Sequence, residues 1–172
     1  MKMECDVLVI GAGVSGCVSA LNLTKQRINT IVLEKEKEVG LHTKNKIDIT
    51  EDSGIMPIIN ELNIPIMQRI NKTKWFSRNY SFNLKSKTYD LYFKRGSSSD
   101  CFEKQMSKKI IKNKGIFYTD VKKIKFVYKK NIVEIVKVYY KNKSIIIRPK
   151  IIIGADGKNS VVLNSTALKK EK

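Results

Sequence analysis

The residues best suited to chemistry lie near the N-terminus, where three glycines follow a short apolar run. Cys5–Ile10 (CDVLVI) leads directly into Gly11-Ala-Gly-Val-Ser-Gly16. In such a pattern Gly11 permits a tight turn, Gly13 lets a pyrophosphate approach backbone N–H groups, and Gly16 lets a helix pack closely on a strand. The spacing therefore predicts a loop that binds phosphate groups at the start of a helix.

A carboxylate follows the glycines, at the end of the next apolar run. The second apolar run, Thr30–Leu33 (TIVL), ends at Glu34, roughly twenty residues after the glycines. There the side chain can accept hydrogen bonds from ribose hydroxyl groups, and its charge repels a 2′-phosphate. The pattern favours a dinucleotide and disfavours NADP. The alternative, a chance glycine turn beside an unrelated surface glutamate, needs all of these coincidences at once.

The elements around these residues predict the fold. Val14–Gln26 has apolar side chains near helical spacing, between two runs apolar enough for parallel strands buried on both faces. A third such run, Ile151–Ile153, is expected in the same sheet, and Gly154-Ala-Asp-Gly157 follows it directly. We therefore predict an α/β fold of the Rossmann-like FAD/NAD(P)-binding class, with a parallel sheet and helices on one side of it.

The middle of the chain predicts further strands and a helix. Alternating stretches near 122–129, 132–140 and 144–148 predict a three-stranded antiparallel meander on the other side of the sheet. Ser98–Lys112 predicts a helix, since Phe102, Met106 and Ile110 recur at a spacing of four. An inserted hairpin is expected at about 75–95, with strands at 80–84 and 89–94 and its turn at 85–88. We expect one domain over residues 1–168 and a frayed tail at 169–172.

Composition narrows the function classes. The net charge is +18, and the positive excess lies after residue 60, so phosphates, an anionic membrane or nucleic acid could be attracted. The lysines are dispersed and no nucleic-acid motif is present, so nucleic-acid binding is not favoured. Three cysteines and one histidine, His42, favour neither a disulfide framework nor a metal site. His42 is expected in a solvated loop. With no spanning apolar run and no signal-peptide layout, the expected location is the cytoplasm.

Two segments carry a resemblance to a known family. Asp6–Lys35 resembles the opening of the FAD-dependent oxidoreductases of the glutathione-reductase-like superfamily, and Ala20 and Gly40 also match its pattern. GADGKNSVV, Gly154–Val162, resembles the GADGxxSxVR segment of the aromatic-hydroxylase and geranylgeranyl-reductase branch. Phe102–Met106 resembles the FDxxL helix of that branch.

The resemblance implies FAD as the cofactor, with the flavin carrying the hydride transfer, so no protein catalytic residue is nominated. It implies that Asp156 contacts the ribityl and pyrophosphate part of FAD. The full set of residues that we expect to bind the cofactor is Gly11, Ala12, Gly13, Ser15, Gly16, Glu34, Lys35, Arg95, Val121 and Asp156.

The chain also departs from the family pattern. Leu163 follows Val162 where the GADGxxSxVR segment has its arginine, and LHTKNKID replaces a Cys-Gly-Glu-type segment. Members of the family continue into a second Gly-Asp segment and a substrate-binding part. We therefore expect an N-terminal part of an oxidoreductase, with the catalytic C-terminal part absent and supplied by a second subunit where one exists.

Three functions remain open at this point. The first is a geranylgeranyl-reductase-like enzyme that adds hydride to isoprenoid C=C bonds of lipids, peripheral to an anionic membrane. The second is a flavin monooxygenase of the aromatic-hydroxylase type, and the third a nucleotide-binding module without turnover. Cys17 is expected as a small packed residue rather than a redox thiol. Trp75 and Phe76 could line a substrate edge or pack in a core or hairpin.

Overall fold

The computed structural model describes residues 1–43, 46–141 and 143–165; the tail predicted to fray, 169–172, lies outside these ranges. A short 3-10 turn occupies Leu41–Thr43. The strands and helices are, in chain order, β1 (Lys2–Ile10), α1 (Val14–Lys25), β2 (Thr30–Leu33), β3 (Ile47–Glu51), α2 (Asp52–Leu62), β4 (Ile66–Phe76), β5 (Ser81–Lys94), α3 (Phe102–Lys112), β6 (Ile116–Tyr118), β7 (Val121–Lys129), β8 (Ile132–Tyr140), β9 (Lys143–Gly154) and α4 (Val161–Ser165).

The central sheet has six strands in the order β6-β2-β1-β9-β8-β7. β1 is parallel to both β2 and β9, so that Val7 pairs with Thr30 on one side and with Ile151 on the other. The prediction that the three apolar runs share one parallel sheet is confirmed. β6, which the sequence did not reveal, adds a short parallel strand next to β2.

The two faces of the central sheet bury different residues of the same strands. Val7, Val9 and Val32 pack with α1, α2 and α3, whereas Leu8 and Ile31 pack with the strands β7, β8 and β9. This follows from the two-residue repeat of a strand, which sends neighbouring side chains to opposite faces. The predicted layering of helices on one side and the meander on the other is confirmed.

The meander differs from the prediction in one respect. The stretches predicted as separate strands, 144–148 and 151–153, form the single strand β9, which joins the meander to the parallel strands. Pro149 does not break this strand, because the pairing of β9 with β8 ends at Ile147, and proline is tolerated where a ladder ends. The meander is therefore continuous with the central sheet.

A second, antiparallel sheet has the order β3-β5-β4. The prediction of a turn at 85–88 and of a hairpin confined to about 75–95 was wrong. The hairpin is formed by β4 and β5 and turns at 77–80, where the Ser77 N–H donates to the Tyr80 carbonyl over 2.7 Å. Residues 86–89 instead form a bulge, since Lys85 pairs with Lys72 but Asp90 pairs with Ile70.

For α3, the sequence predicts the buried side of the helix correctly but not the residue at which the helix begins. Phe102, Met106 and Ile110 of α3 are buried, as predicted, but the helix begins at Phe102 rather than near Ser98. Among the described residues, no helix is long and apolar enough to cross a bilayer.

A buried ion-pair cluster ties the second sheet to α3. The Glu103 side chain on α3 is completely buried. Its Oε1 accepts a hydrogen bond from Arg95 Nε over 2.6 Å, and its Oε2 accepts one from the Gly96 N–H over 3.0 Å. Arg95, directly after β5, also pairs with Asp48 on β3. Removing one member of such a cluster leaves a buried charge without its partner.

We predict that Arg95→Met lowers the free energy of unfolding by about 3–5 kcal/mol, because Glu103 loses its counter-charge inside the protein. Urea unfolding followed by circular dichroism measures this change. Lys94→Met is the matched control. Lys94 pairs with Asp100 at the surface, where ion pairs contribute little, so the variant should unfold close to the wild type. Equal effects of the two substitutions would contradict a special role for the buried pair.

Candidate dinucleotide site

The glycine loop is held in place by close backbone contacts. Gly11 has a φ of +100°, and a Cβ atom there would lie 2.3 Å from the carbonyl oxygen of Ala155. A Cβ at Gly16 would lie 1.9 Å from the carbonyl oxygen of Gly11. Both positions therefore require glycine for the fold itself. The role predicted for Gly16, close packing of α1 on the end of β1, agrees with this geometry.

Gly13 differs from the other two glycines of the motif. No described protein atom lies within 4 Å of the position that a Cβ would take there, and φ is an ordinary −70°. Gly13 is the N-cap of α1, and it caps the helix without any side-chain hydrogen bond. The first N–H groups of a helix have no intrahelical acceptor, and the positive end of the helix dipole attracts anions. This open space fits a phosphate group and leaves the fold no need for glycine.

Glu34, at the end of β2, is held in place by hydrogen bonds to protein groups. Its side chain is buried, its Oε2 accepts from the Ala12 N–H over 2.7 Å, and its Oε1 accepts from the Glu36 N–H over 2.9 Å. Its own N–H donates to the Tyr118 carbonyl, and its carbonyl accepts from the Val121 N–H. A carboxylate has about four acceptor positions. Two therefore remain for ribose hydroxyl groups.

Asp156 organises the turn between β9 and α4. Its Oδ1 accepts from the Ser160 hydroxyl over 2.7 Å, and its Oδ2 accepts from the Val161 and Val162 N–H groups. Ser160 in turn accepts from the Leu163 N–H over 2.9 Å. The aspartate and serine of the GADGKNSVV segment thus have a structural role, since they bond each other and the first N–H groups of α4. A contact of Asp156 with FAD remains a prediction.

These residues meet around one cavity of about 530 Å³, at the carboxyl ends of the parallel strands. Such a position, where the chain leaves neighbouring strands in different directions, is where open α/β sheets bind ligands. Six of the ten residues predicted to bind the cofactor line it, namely Gly11, Gly13, Glu34, Lys35, Val121 and Asp156.

The other four predicted residues do not line this cavity. Ala12 lies behind it and donates its N–H to Glu34, and Gly16 is buried against Gly11. Ser15 is exposed in the first turn of α1. Arg95 is not brought to the cavity, since its guanidinium is held in the ion-pair cluster with Glu103 and Asp48. No local signal in the sequence indicates these two partners.

The structure adds residues that the sequence reasoning missed. His42, predicted in a solvated loop, is exposed but lies at the cavity. The strand β7 contributes side chains because the chain enters it directly beside Glu34, and the motif turn contributes two more. The added lining residues are Lys122, Lys123, Ile124, Lys158 and Asn159. The two variable positions of the GADGxxS pattern were the only sequence signal for the last pair.

Cys17 behaves as a packed residue. It is completely buried on α1, and its thiol donates to the Ala12 carbonyl over 3.3 Å. Burial, followed by the nearby charges of Glu103 and Glu34, raises the pKa of the Cys17 thiol to about 12. A reactive thiolate is therefore disfavoured near neutral pH. The expectation of a small packed residue agrees with this environment.

Trp75 and Phe76 lie at the far end of β4, exposed by 56% and 74%. Neither lines the cavity described above. Of the alternatives left open by the sequence, packing in the core does not occur. Packing within the hairpin does, since the rings of Trp75 and Phe82 are stacked with their centroids 6.5 Å apart.

Comparison with known proteins agrees with this geometry. A family model described as an FAD binding domain matches residues 6–45, which contain the glycine loop, α1, β2 and Glu34. A protein of Methanothermococcus thermolithotrophicus, named as an uncharacterized protein in the nifH2 3′ region, is 35% identical over 43% of this chain and 74% of its own length. The chain belongs to the family of that protein. An uncharacterized protein in the nifH2 5′ region of Methanosarcina barkeri is 24% identical over 95% of this chain and 88% of its own.

Solved structures share the fold. A geranylgeranyl bacteriochlorophyll reductase-like protein of Thermoplasma acidophilum has a TM-score of 0.69 and 21% identity, over 91% of this chain and 40% of that one. The myxobacterial chondrochloren halogenase CndH, an FAD-dependent halogenase, has 0.70 and 12%, over 95% and 39%. Aklavinone-11 hydroxylase, solved with FAD and aklavinone, has 0.65 and 17%, over 94% and 34%. The chain spans less than half the length of each.

FAD as the cofactor is confirmed by the matched FAD binding domain together with the flavoprotein fold. The three structures are named as a reductase-like protein, a halogenase and a hydroxylase. Since one fold hosts different reactions, the likeness shows the fold and leaves the reaction open.

We predict that Gly13→Ala and Gly16→Ala separate ligand binding from folding. Gly13→Ala should keep the wild-type unfolding midpoint but weaken ADP and FAD binding about tenfold or more, because the new methyl group keeps phosphate from the backbone N–H groups. Gly16→Ala should lower the free energy of unfolding by at least about 1–3 kcal/mol through its clash with Gly11.

Gly54→Ala is the control for these two variants. Gly54 is exposed within α2, and a Cβ there meets nothing within 4 Å. Alanine should stabilise the helix by about 1 kcal/mol and leave ligand affinity unchanged. Thermal unfolding and fluorescence titration measure both properties. A stable Gly13→Ala variant with undiminished affinity would remove Gly13 from the site.

Proposed function

We propose that the chain is the FAD-binding part of a flavin-dependent oxidoreductase of the geranylgeranyl-reductase type, which reduces isoprenoid C=C bonds of lipids. The observation that carries the proposal is the meeting of the open Gly13 position, Glu34 and Asp156 at one cavity. The GADGKNSVV segment and the likeness to the reductase-like protein of Thermoplasma acidophilum support this branch.

The residues of this chain would hold the cofactor by its adenosine half. The N-terminus of α1 at Gly13 receives the pyrophosphate, and Glu34 accepts hydrogen bonds from the adenosine ribose. Val121 borders the same cavity, and its backbone N–H donates to the Glu34 carbonyl. FAD, when bound, supplies the hydride transfer, so the protein's task here is to bind and orient.

A second candidate is a flavin monooxygenase of the aromatic-hydroxylase type. The fold of aklavinone-11 hydroxylase, which covers 94% of this chain, favours it. Oxygen consumption separates the two candidates. A reductase transfers hydride to an isoprenoid lipid under anaerobic conditions, whereas a monooxygenase needs dioxygen together with its substrate. A nucleotide-binding module without turnover would do neither, although it would still bind FAD.

Glu34→Ala should weaken FAD binding by about one to two orders of magnitude, because the loss of a hydrogen bond to a charged group costs about 1.5–3 kcal/mol. Glu36→Ala is the control. Glu36 offers Glu34 only its backbone N–H, so removing its side chain should leave the affinity within about twofold of wild type. Fluorescence titration of FAD measures both variants. Equal affinities for Glu34→Ala and the wild type would refute the assigned role of Glu34.

A further prediction concerns the flavin ring. We propose that a second polypeptide or segment encloses the isoalloxazine, because the roles assigned to Gly13, Glu34 and Asp156 reach from the adenosine ribose to the ribityl chain and not to the flavin ring. The 172-residue chain alone should then bind ADP and FAD with similar affinity, leave the flavin fluorescent and wet, and turn over negligibly. Adding the product of a neighbouring gene with a second Gly-Asp segment should quench the flavin and restore activity. Tightly held, non-fluorescent flavin with robust catalysis by the chain alone would contradict this proposal.

A further inference from the structure

The far end of the β4–β5 hairpin carries an exposed apolar cluster. We define the hairpin tip as residues 72–87, which comprise the last part of β4, the turn and the first part of β5. Its large apolar side chains are exposed by half or more. They are Trp75 (56%), Phe76 (74%), Tyr80 (79%), Phe82 (56%) and Leu84 (52%).

The hairpin tip is also strongly cationic. Residues 71–89 contain no aspartate or glutamate. The same segment contains five cations, which are Lys72, Lys74, Arg78, Lys85 and Lys87. Apolar and positively charged side chains are thus concentrated on one projecting element.

The pairing of β4 with β5 orders these side chains by depth. Trp75 pairs with Phe82, close to the turn, whereas Lys72 pairs with Lys85 three residues further back. At the rise of a strand, this places the lysine pair about 10 Å behind the aromatic pair. The aromatic pair therefore lies nearer the end of the hairpin than this lysine pair, while Arg78 lies in the turn itself.

Within the described parts of the chain, the hairpin tip has no third strand beside it. β3 pairs with β5 only along 90–94, so β4 and β5 run beyond it as a two-stranded ribbon. A two-stranded ribbon is marginally stable by itself in water. Covering its apolar end would stabilise it, which favours a docking role over a purely structural one.

We propose that the hairpin tip inserts into the surface of an anionic lipid bilayer. Tryptophan and tyrosine favour the membrane–water interface, and peripheral elements bury their apolar side chains about 5–10 Å deep. At that depth the lysines behind the aromatic pair meet anionic headgroups. This binding does not depend on the proposed FAD chemistry.

Single-stranded nucleic acid is the competing ligand, because it also binds aromatic and cationic surfaces. Bases stack on open ring faces. Phe76 and Tyr80 offer such faces, although the Lys74 ammonium lies 5.1 Å from the centroid of the Phe76 ring. The Trp75 and Phe82 rings are stacked with each other, and Leu84 has no ring. The lipid surface therefore accounts for more of the exposed side chains.

Trp75 is the only tryptophan in the chain, so its fluorescence reports on the hairpin tip directly. The test adds vesicles of phosphatidylcholine with phosphatidylserine, and in parallel vesicles of phosphatidylcholine alone. We expect a blue shift with the anionic vesicles, its reversal by high salt, and quenching by brominated lipid. No shift with anionic vesicles, or an equal shift with both kinds, would overturn the proposal. So would a response to oligo-dT but not to lipid.

Matched charge variants locate the binding surface. Lys72→Gln/Lys85→Gln removes a cross-strand lysine pair at the hairpin tip and should weaken vesicle binding about tenfold or more. Lys125→Gln/Lys137→Gln removes a cross-strand lysine pair that is also exposed, from the β7–β8 hairpin, and should change binding far less. Phe76→Ser should weaken binding while circular dichroism stays unchanged. Equal losses in the two lysine-pair variants would overturn the assignment to the hairpin tip.

Discussion

The carboxyl edge of the central sheet depends on the close approach of three backbone segments. The loop after β1, the start of α1 and the segment after β9 meet at Gly11, where neither Gly11 nor Gly16 has room for a Cβ atom. The Ala155 N–H continues this junction by donating to the Ile10 carbonyl over 2.8 Å. Because the contacts are between backbone atoms, they cannot relax by side-chain rotation. The relative positions of the phosphate loop and of Asp156 therefore follow from this junction.

Glu34 attaches the end of β2 to the same junction. Its bond to the Ala12 N–H joins two segments that are 22 residues apart in sequence, and it does so inside the protein. The carboxylate and the loop are thus held together by protein groups, which reduces the conformational entropy lost on binding. The same bond has a second consequence: substitution of Glu34 also leaves a buried N–H without its acceptor. The effect of such a substitution on affinity therefore combines a lost ligand contact with a loosened loop.

Local signals in the sequence sufficed for the βαβ unit, because its glycines and its carboxylate lie between Gly11 and Glu34 at a characteristic spacing. They did not suffice where the partner is distant. Arg95 was expected at the cofactor, but its place is decided by the buried Glu103 and by Asp48 on another strand. The hairpin turn was expected at Lys85-Ser-Lys-Thr, a polar stretch between two runs that resemble strands. The long pairing of β4 with β5 absorbs them as a bulge and moves the reversal to 77–80.

Helix α1 is not the only source of positive charge for a pyrophosphate at the described cavity. The N-terminus of a helix provides about half a positive charge, which is less than the two negative charges of the ligand. Glu34 adds a further negative charge at the same cavity. Lys122 is already paired with Asp120. Lys35, Lys123 and Lys158 also line the cavity. Their combined positive charge exceeds the negative charge of the pyrophosphate and Glu34 that the helix dipole leaves unbalanced. Two of these lysines, Lys35 and Lys158, follow β2 and β9. The junction at Gly11 sets the positions of these two strand ends. The backbone contacts that shape the phosphate loop therefore also position the lysines that balance the charge of its ligand.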